Sequence, residues 1–108
     1  MANYTYLALG DSYTIGEQVA YAENFPNQTI QLLRKTGFAF FAAEIIAKTG
    51  WTTDELSNAV EKSVFLDNYD IVTLLIGVNN QYRGRTACEF RIEFEHLLQK
   101  GIQFAGNR

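Results

Sequence analysis

The stretch Tyr69-Asp70-Ile71-Val72-Thr73-Leu74-Leu75-Ile76 decides the fold. Apolar side chains run almost without a break from Ile71 to Ile76. A strand with one wet face alternates apolar and polar residues; this one does not. The run therefore predicts burial on both faces, the mark of a parallel sheet covered by helices. The polar segment Gly77-Val78-Asn79-Asn80-Gln81-Tyr82-Arg83-Gly84 follows at once and reads as a loop. Thr86 and Glu89 then have capping-box spacing, which opens a helix. Phe90, Phe94, Leu97, Leu98, Gly101, Ile102 and Ala105 recur at the helical period and form its apolar stripe.

The same alternation of elements extends upstream. Residues 4–9 read as a first strand, followed by a polar loop over 10–24. Pro26 suits the first turn of a helix, which runs to about Thr36 with Ile30, Leu32 and Leu33 on its apolar side. Gly37 ends it. Residues 38–48 read as a second strand, in which Glu44 marks a partly exposed face. Thr49-Gly50-Trp51 is a turn, and Thr52 with Glu55 forms another capping box. The helix behind it carries Leu56, Ala59, Val60 and Ser63 along one side.

Strand, helix, strand, helix, strand, helix implies right-handed crossovers and a three-layer αβα fold with a parallel sheet, an α/β class. One domain accounts for all 108 residues, and no repeat or linker divides them. The loops 10–17, 49–52 and 77–84 each leave the end of a strand. They are expected together at the C-terminal edge of the sheet, where open α/β sheets bind ligands. Ser12, Gly50 and Asn79 are thereby predicted to share one rim.

Composition narrows the function. Hydrophobic residues make up 47% and charged residues 19% of the chain, which describes a globular protein. The net charge of -3 comes without a basic block, which argues against nucleic acid as a partner. Cys88 is the one cysteine, so an intrachain disulfide is excluded and it reads as a packed or helix-surface thiol. No cofactor or metal is expected. No segment reaches the ~20 apolar residues that span a bilayer. The opening residues carry no basic n-region and no long apolar h-region, so the expectation is a cytoplasmic protein, or one from which a leader was removed.

Ser12, Gly50 and Asn79 have the chemistry of ester cleavage by a serine. Such a reaction needs a nucleophile, a base for its proton, and donors for the developing oxyanion. Ser12 supplies a hydroxyl. Its own backbone N–H, the Gly50 N–H and the Asn79 side-chain amide are candidate oxyanion donors. Glycine at 50 lets the backbone approach a substrate closely. Asp11 is expected to hold the turn rather than to serve as a triad acid. Trp51 and Tyr82 are candidate pocket walls, against a structural or exposed role. Arg83 is a candidate for an anionic substrate group, against a solvated loop arginine.

These residues resemble the SGNH, or GDSL, family of hydrolases. Gly10-Asp11-Ser12 with Gly16 matches the family's first block, which carries the serine nucleophile. Gly50, in Thr49-Gly50-Trp51-Thr52-Thr53, is similar to the second block. Gly77-Val78-Asn79-Asn80 is similar to the third, with asparagine at 80 where the family usually has aspartate. The resemblance implies an esterase or lipase-like hydrolase with Ser12 as nucleophile and Ser12, Gly50 and Asn79 as oxyanion hole. It also implies a flavodoxin-like strand order of 2-1-3-4-5, of which this chain carries about three strands.

The family's last block, aspartate-any-any-histidine, is absent. His96 is the one histidine, and it lies mid-helix beside the apolar stripe. The resemblance thus covers an N-terminal portion of a family member, with a fourth strand due near Gly106-Asn107-Arg108, and implies a nearly inactive chain. The unpaired edge of strand 69–76, or the last helix, is then expected to support a homodimer or a domain swap.

Other classes fit less well. Loop 10–17 lacks the Gly-x-Gly-x-x-Gly spacing and the lysine of nucleotide-binding loops. Asn79-Asn80 stands where a receiver domain would carry a phosphoacceptor aspartate. The alternative that remains open is a non-catalytic α/β module that binds a ligand or associates with itself.

Overall fold

The computed structural model describes residues 3–106. Three strands form one sheet: β1 (Tyr6–Gly10), β2 (Glu44–Ala47) and β3 (Ile71–Leu75). Their spatial order is β2-β1-β3, and both pairings are parallel. Among the described residues five α-helices accompany them, α1 (Ser12–Ile15), α2 (Phe25–Lys35), α3 (Thr53–Lys62), α4 (Val78–Tyr82) and α5 (Ala87–Phe104), with a short 3-10 turn at Tyr21–Glu23. The predicted α/β class, the parallel sheet and the order of its first three strands hold.

β1 is the centre of the molecule. All five of its residues are buried, and the first four alternate between two cores. Leu7 and Leu9 face Leu56 and Val60 of α3 and Leu97 of α5. Tyr6 and Ala8 face the other way, toward Ile30 of α2 and Phe40. The period of two in a strand makes this division, and it produces the three layers.

Several elements differ from their sequence reading. The second strand is four residues long, not the whole of 38–48; Phe40 makes only an isolated bridge with Tyr4 before the chain joins the sheet at Glu44. Glu44 is exposed, as its polarity suggested, but the buried Tyr69 hydroxyl donates to its carboxylate. Burial of Tyr69 and that bond to a carboxylate push its phenol up to about 12. The loops 10–24 and 77–84 contain the short helices α1 and α4, because a few polar residues suffice for a turn or two of helix when tertiary contacts hold them. Leu32 is 62% exposed, on the solvent side of α2 away from Ile30.

β3 is the larger departure. Its continuous apolar run predicted burial on both faces, yet its residues are partly exposed and Leu75 is 46% exposed. In the sheet it is an edge strand, with β1 on one side and no strand on the other among the described residues. Apolar side chains of β3 and α5 (Val72, Leu74, Phe94, Leu98 and Ile102) line an open groove of about 280 Å³. The α5 stripe therefore splits: Leu97 and Gly101 are buried against the sheet, whereas Leu98 and Ile102 face this groove. Asn107 and Arg108, part of the segment where a further strand was expected, lie outside the described residues.

The two leucines test the layer assignment. Leu56→Ala removes a fully buried side chain and is expected to cost about 2–5 kcal/mol. Leu32→Ala is expected to stay within about 0.5 kcal/mol of wild type. Urea unfolding followed by Trp51 fluorescence measures both; equal losses would contradict the packing of α2.

Candidate active site

Register places the three loops side by side. Gly10, the last residue of β1, sits opposite Ala47 of β2 and Leu75 of β3. Neighbouring strands lie about 4.8 Å apart, so the three chain exits occupy a narrow front. Ser12 follows Gly10 by two residues, Gly50 follows Ala47 by three, and Asn79 follows Leu75 by four. All three sequence-predicted residues thus stand at the C-terminal edge.

Ser12 opens α1. Asp11 is the N-cap, and its Oδ1 accepts the Tyr13 N–H at 3.0 Å. As the first helical residue, Ser12 has an N–H that lies ahead of the intrahelical ladder and needs an acceptor from elsewhere. Its hydroxyl has no hydrogen-bond partner among the described residues, and the residue is partly exposed. The turn is tightly built beneath it. A Cβ on Gly10 would lie 2.0 Å from Thr14 Oγ1 and 2.8 Å from the Leu75 carbonyl oxygen, so no larger residue fits. Asn24, also buried, closes the far side by donating to the Ile15 carbonyl at 3.1 Å and capping α2.

Asp11 is fully buried, and its second oxygen, Oδ2, has no partner among the described residues. Desolvation raises its pKa above the usual carboxylate range, opposed by the Tyr13 N–H bond. This matches a structural carboxyl that shapes the turn.

The second and third loops are fastened to each other. Asn79 Nδ2 donates to the Trp51 carbonyl at 3.0 Å. An amide nitrogen has two protons, so this bond orients the group and leaves one proton for a ligand. Arg83 reaches across to the Gly50 carbonyl at 2.5 Å and pairs with Glu55 at 3.1 Å. Arg85 pairs with Asp54 at 2.5 Å. Gly50 adopts φ +86°, a conformation that suits glycine; a Cβ there would find ordinary room, 3.7 Å from Arg83. The need for glycine at 50 is therefore conformational, whereas close approach to a substrate was the sequence expectation. Its N–H has no acceptor among the described residues.

The acids at the start of α3 are held charged. Thr52 hydroxyl bonding, with help from Arg85, lowers the Asp54 pKa, and the Thr52 N–H lowers that of Glu55. The Thr52 N–H donates to Glu55 Oε1 at 3.1 Å, one half of the predicted capping box.

Other candidates separate. Trp51 packs against the core beneath α3. Tyr82 is 89% exposed. Arg83 is an exposed loop arginine that donates to the Gly50 carbonyl and pairs with Glu55. Cys88 lies exposed on α5. His96 stands 4.0 Å from Glu61, in the last turns of α3. Glu61 is eight residues beyond Thr53, about 12 Å down the helix from the rim. His96 therefore sits away from Ser12, as its mid-helix position suggested. Among the described residues no three His, Cys, Asp or Glu side chains group to hold a metal, and no helix is long and apolar enough to cross a membrane.

The sequence reading missed the residues Thr53 and Arg85, and the fastening role of Asn80 and Arg83. A signal for two of them was present: Arg83 and Arg85, in and just after the third loop, complement Asp54 and Glu55 in the first turn of α3.

A family model for the GDSL-like lipase/acylhydrolase family matches residues 8–107. This chain belongs to that family. Solved structures of similar fold include AlinE4, described as an SGNH-hydrolase family esterase, at 24% identity and a TM-score of 0.73. That likeness covers 93% of this chain and 53% of AlinE4. TesA is similar over 94% of this chain and 56% of its own, at 17% identity and a TM-score of 0.75. The GDSL chain described here thus spans about half the length of the structures it matches. No curated protein sequence matches it.

Asp11 gives a pH test. Its folded pKa is raised, so its contribution to stability is fully present below the unfolded value of about 3.9 and is lost as pH rises through the folded value. Asp11→Asn keeps an oxygen for the Tyr13 N–H and cannot ionise. The variant is expected to melt above wild type at pH 7, with the difference closing near pH 3. A constant difference across thermal melts at both pH values would exclude ionisation of Asp11 as the cause.

Proposed function

We propose that this chain is the nucleophile and oxyanion portion of an SGNH-type serine esterase whose base lies outside these 108 residues. The observation that carries the reading is the convergence of Ser12, Gly50 and Asn79 at one rim, in a chain of the GDSL family. Ser12 Oγ attacks the ester carbonyl carbon as a base takes its proton. The carbonyl π electrons move onto oxygen, where the Ser12 N–H, the Gly50 N–H and the unused Asn79 amide proton receive the anion. Collapse of the tetrahedral intermediate expels the alcohol and leaves an acyl-serine, which water then hydrolyses. Losing one such donor typically costs about 2.7–4 kcal/mol of barrier.

The base is the missing participant. His96 is remote from the rim and half-exposed, and Asp11 is committed to the turn. Without a base, turnover falls on the order of 10⁶-fold below that of a complete triad, leaving what binding and the oxyanion donors supply. The missing acid and base belong, in this reading, to further α/β units of the same domain.

The bare edge of β3 has a consequence of its own. No described strand pairs with it on that side, and Leu75, Leu98 and Ile102 expose apolar surface beside it. A strand edge is self-complementary about a two-fold axis. In the absence of further strands, two copies of this chain associate through β3 and α5.

Two measurements test these proposals. The 108-residue chain is expected to turn over p-nitrophenyl acetate near background, and the same domain extended by its downstream sequence to react with a fluorophosphonate at Ser12. An extended protein that does not label refutes the hydrolase reading and leaves the non-catalytic module; vigorous Ser12-dependent turnover by the short chain refutes the missing base. Light scattering after size-exclusion chromatography is expected to give a dimer mass for the short chain at micromolar concentration, and a stable monomer overturns the association.

A further inference from the structure

Asn80 and Thr53 are both buried, and they meet through two hydrogen bonds. The Thr53 backbone N–H donates to Asn80 Oδ1 at 3.0 Å. A backbone N–H can only donate, so it fixes which end of the Asn80 amide is oxygen. Asn80 Nδ2 must then face Thr53 Oγ1, to which it donates at 2.8 Å. The Thr53 hydroxyl has one proton, and through it donates a hydrogen bond to Glu93 Oε1 on α5 at 2.5 Å. A carboxylate only accepts. The chain of bonds therefore has a single direction, amide to hydroxyl to carboxylate, set by a donor-only group at one end and an acceptor-only group at the other.

We propose that Glu93 is a positioning residue for the oxyanion loop, acting through Thr53 and Asn80 to set the side-chain amide of Asn79. The consecutive residues Asn79 and Asn80 hold consecutive parts of the second loop, the Trp51 carbonyl and Thr53. α4 is only five residues long and opens on Gly77 without a side-chain cap, so it has little stability of its own. Its orientation is fixed by these side-chain bonds. Glu93 orients the Thr53 proton, which leaves Thr53 Oγ1 free to accept from Asn80, and Asn80 in turn fixes the turn that carries Asn79. Residue 80 and residue 93 are thus coupled. An aspartate at 80 would compete with Glu93 for the single Thr53 proton and would place two carboxylates on one hydroxyl. If residue 93 became glutamine as well, the direction would reverse: Thr53 would donate to the carboxylate introduced at 80, and the amide introduced at 93 would donate to Thr53.

That the Asn79 amide serves an oxyanion depends on the hydrolase reading above; the coupling of 80 and 93 does not. The test is a double-mutant cycle on the 108-residue chain, with Tm and the NMR signals of the Asn79 side-chain amide as readouts. Glu93→Gln alone keeps an acceptor for Thr53 and is expected to leave both close to wild type. Asn80→Asp is expected to lower Tm by roughly 4–8 °C and to shift the Asn79 amide signals. Asn80→Asp with Glu93→Gln is expected to restore most of the Tm and return the Asn79 signals toward their wild-type positions, a non-additivity that two independent losses would not give. A double variant no better than Asn80→Asp, including one that fails to fold, overturns the proposal, as does an Asn79 signal unmoved in Asn80→Asp. Neither readout involves hydrolysis, so failure here leaves the hydrolase reading standing, and an unreactive Ser12 leaves the coupling standing.

Discussion

Parallel pairing of β1 with both of its neighbours is the constraint on which the rest depends. The hydrogen-bond ladders set Gly10 against Ala47 on one side and Leu75 on the other. Because the strands share a direction, each must be followed by a helix that crosses back, and every strand-to-helix loop leaves from the same edge. Three residues far apart in sequence are brought to one rim by backbone geometry. The burial of β1 on both faces maintains it: Leu7 and Leu9 anchor α3 and α5, while Tyr6 and Ala8 anchor the α2 side.

The rim is then made rigid by polar bonds rather than by packing. Asn79, Asn80 and Arg83 of the third loop, with Arg85 just beyond it, reach to the second loop or to the first turn of α3. The arginine pairs are partly exposed, so each contributes little by itself. The buried Asn80–Thr53 contact matters more, because a buried polar group left without its partner costs about 1–3 kcal/mol. The first loop is built separately, by the buried carboxyl of Asp11, the close approach of Gly10 to Thr14, and the Asn24 amide. Ser12 is thereby presented by a turn with almost no freedom to rearrange.

The apolar surface shows the opposite condition. β3 carries a sequence suited to the interior of a sheet but occupies its edge. The exposed Leu75, Leu98 and Ile102, and the groove between β3 and α5, are the result. AlinE4 and TesA are nearly twice as long as the region they share with this chain.

Local sequence determined the order and types of the three strands and the three longer helices, and the caps of α3 and α5, because hydrophobic period and capping residues act over a few neighbours. It also determined the edge where Ser12, Gly50 and Asn79 meet, since each follows a strand. Short-range pattern left other features undecided. The helices α1 and α4 were read as loops because their few polar residues become helical only under tertiary contacts. Leu32 and Leu33 are adjacent and equally apolar, and only the packing of α2 turned one toward solvent. Arg83 looked like a free loop cation until Gly50 and Glu55 were brought within its reach. The sequence supplied the hydroxyl, amide and guanidinium groups of the rim, but the direction of each hydrogen bond between the loops arose from tertiary structure. A donor finds its acceptor only after distant backbone segments have been placed a few ångströms apart.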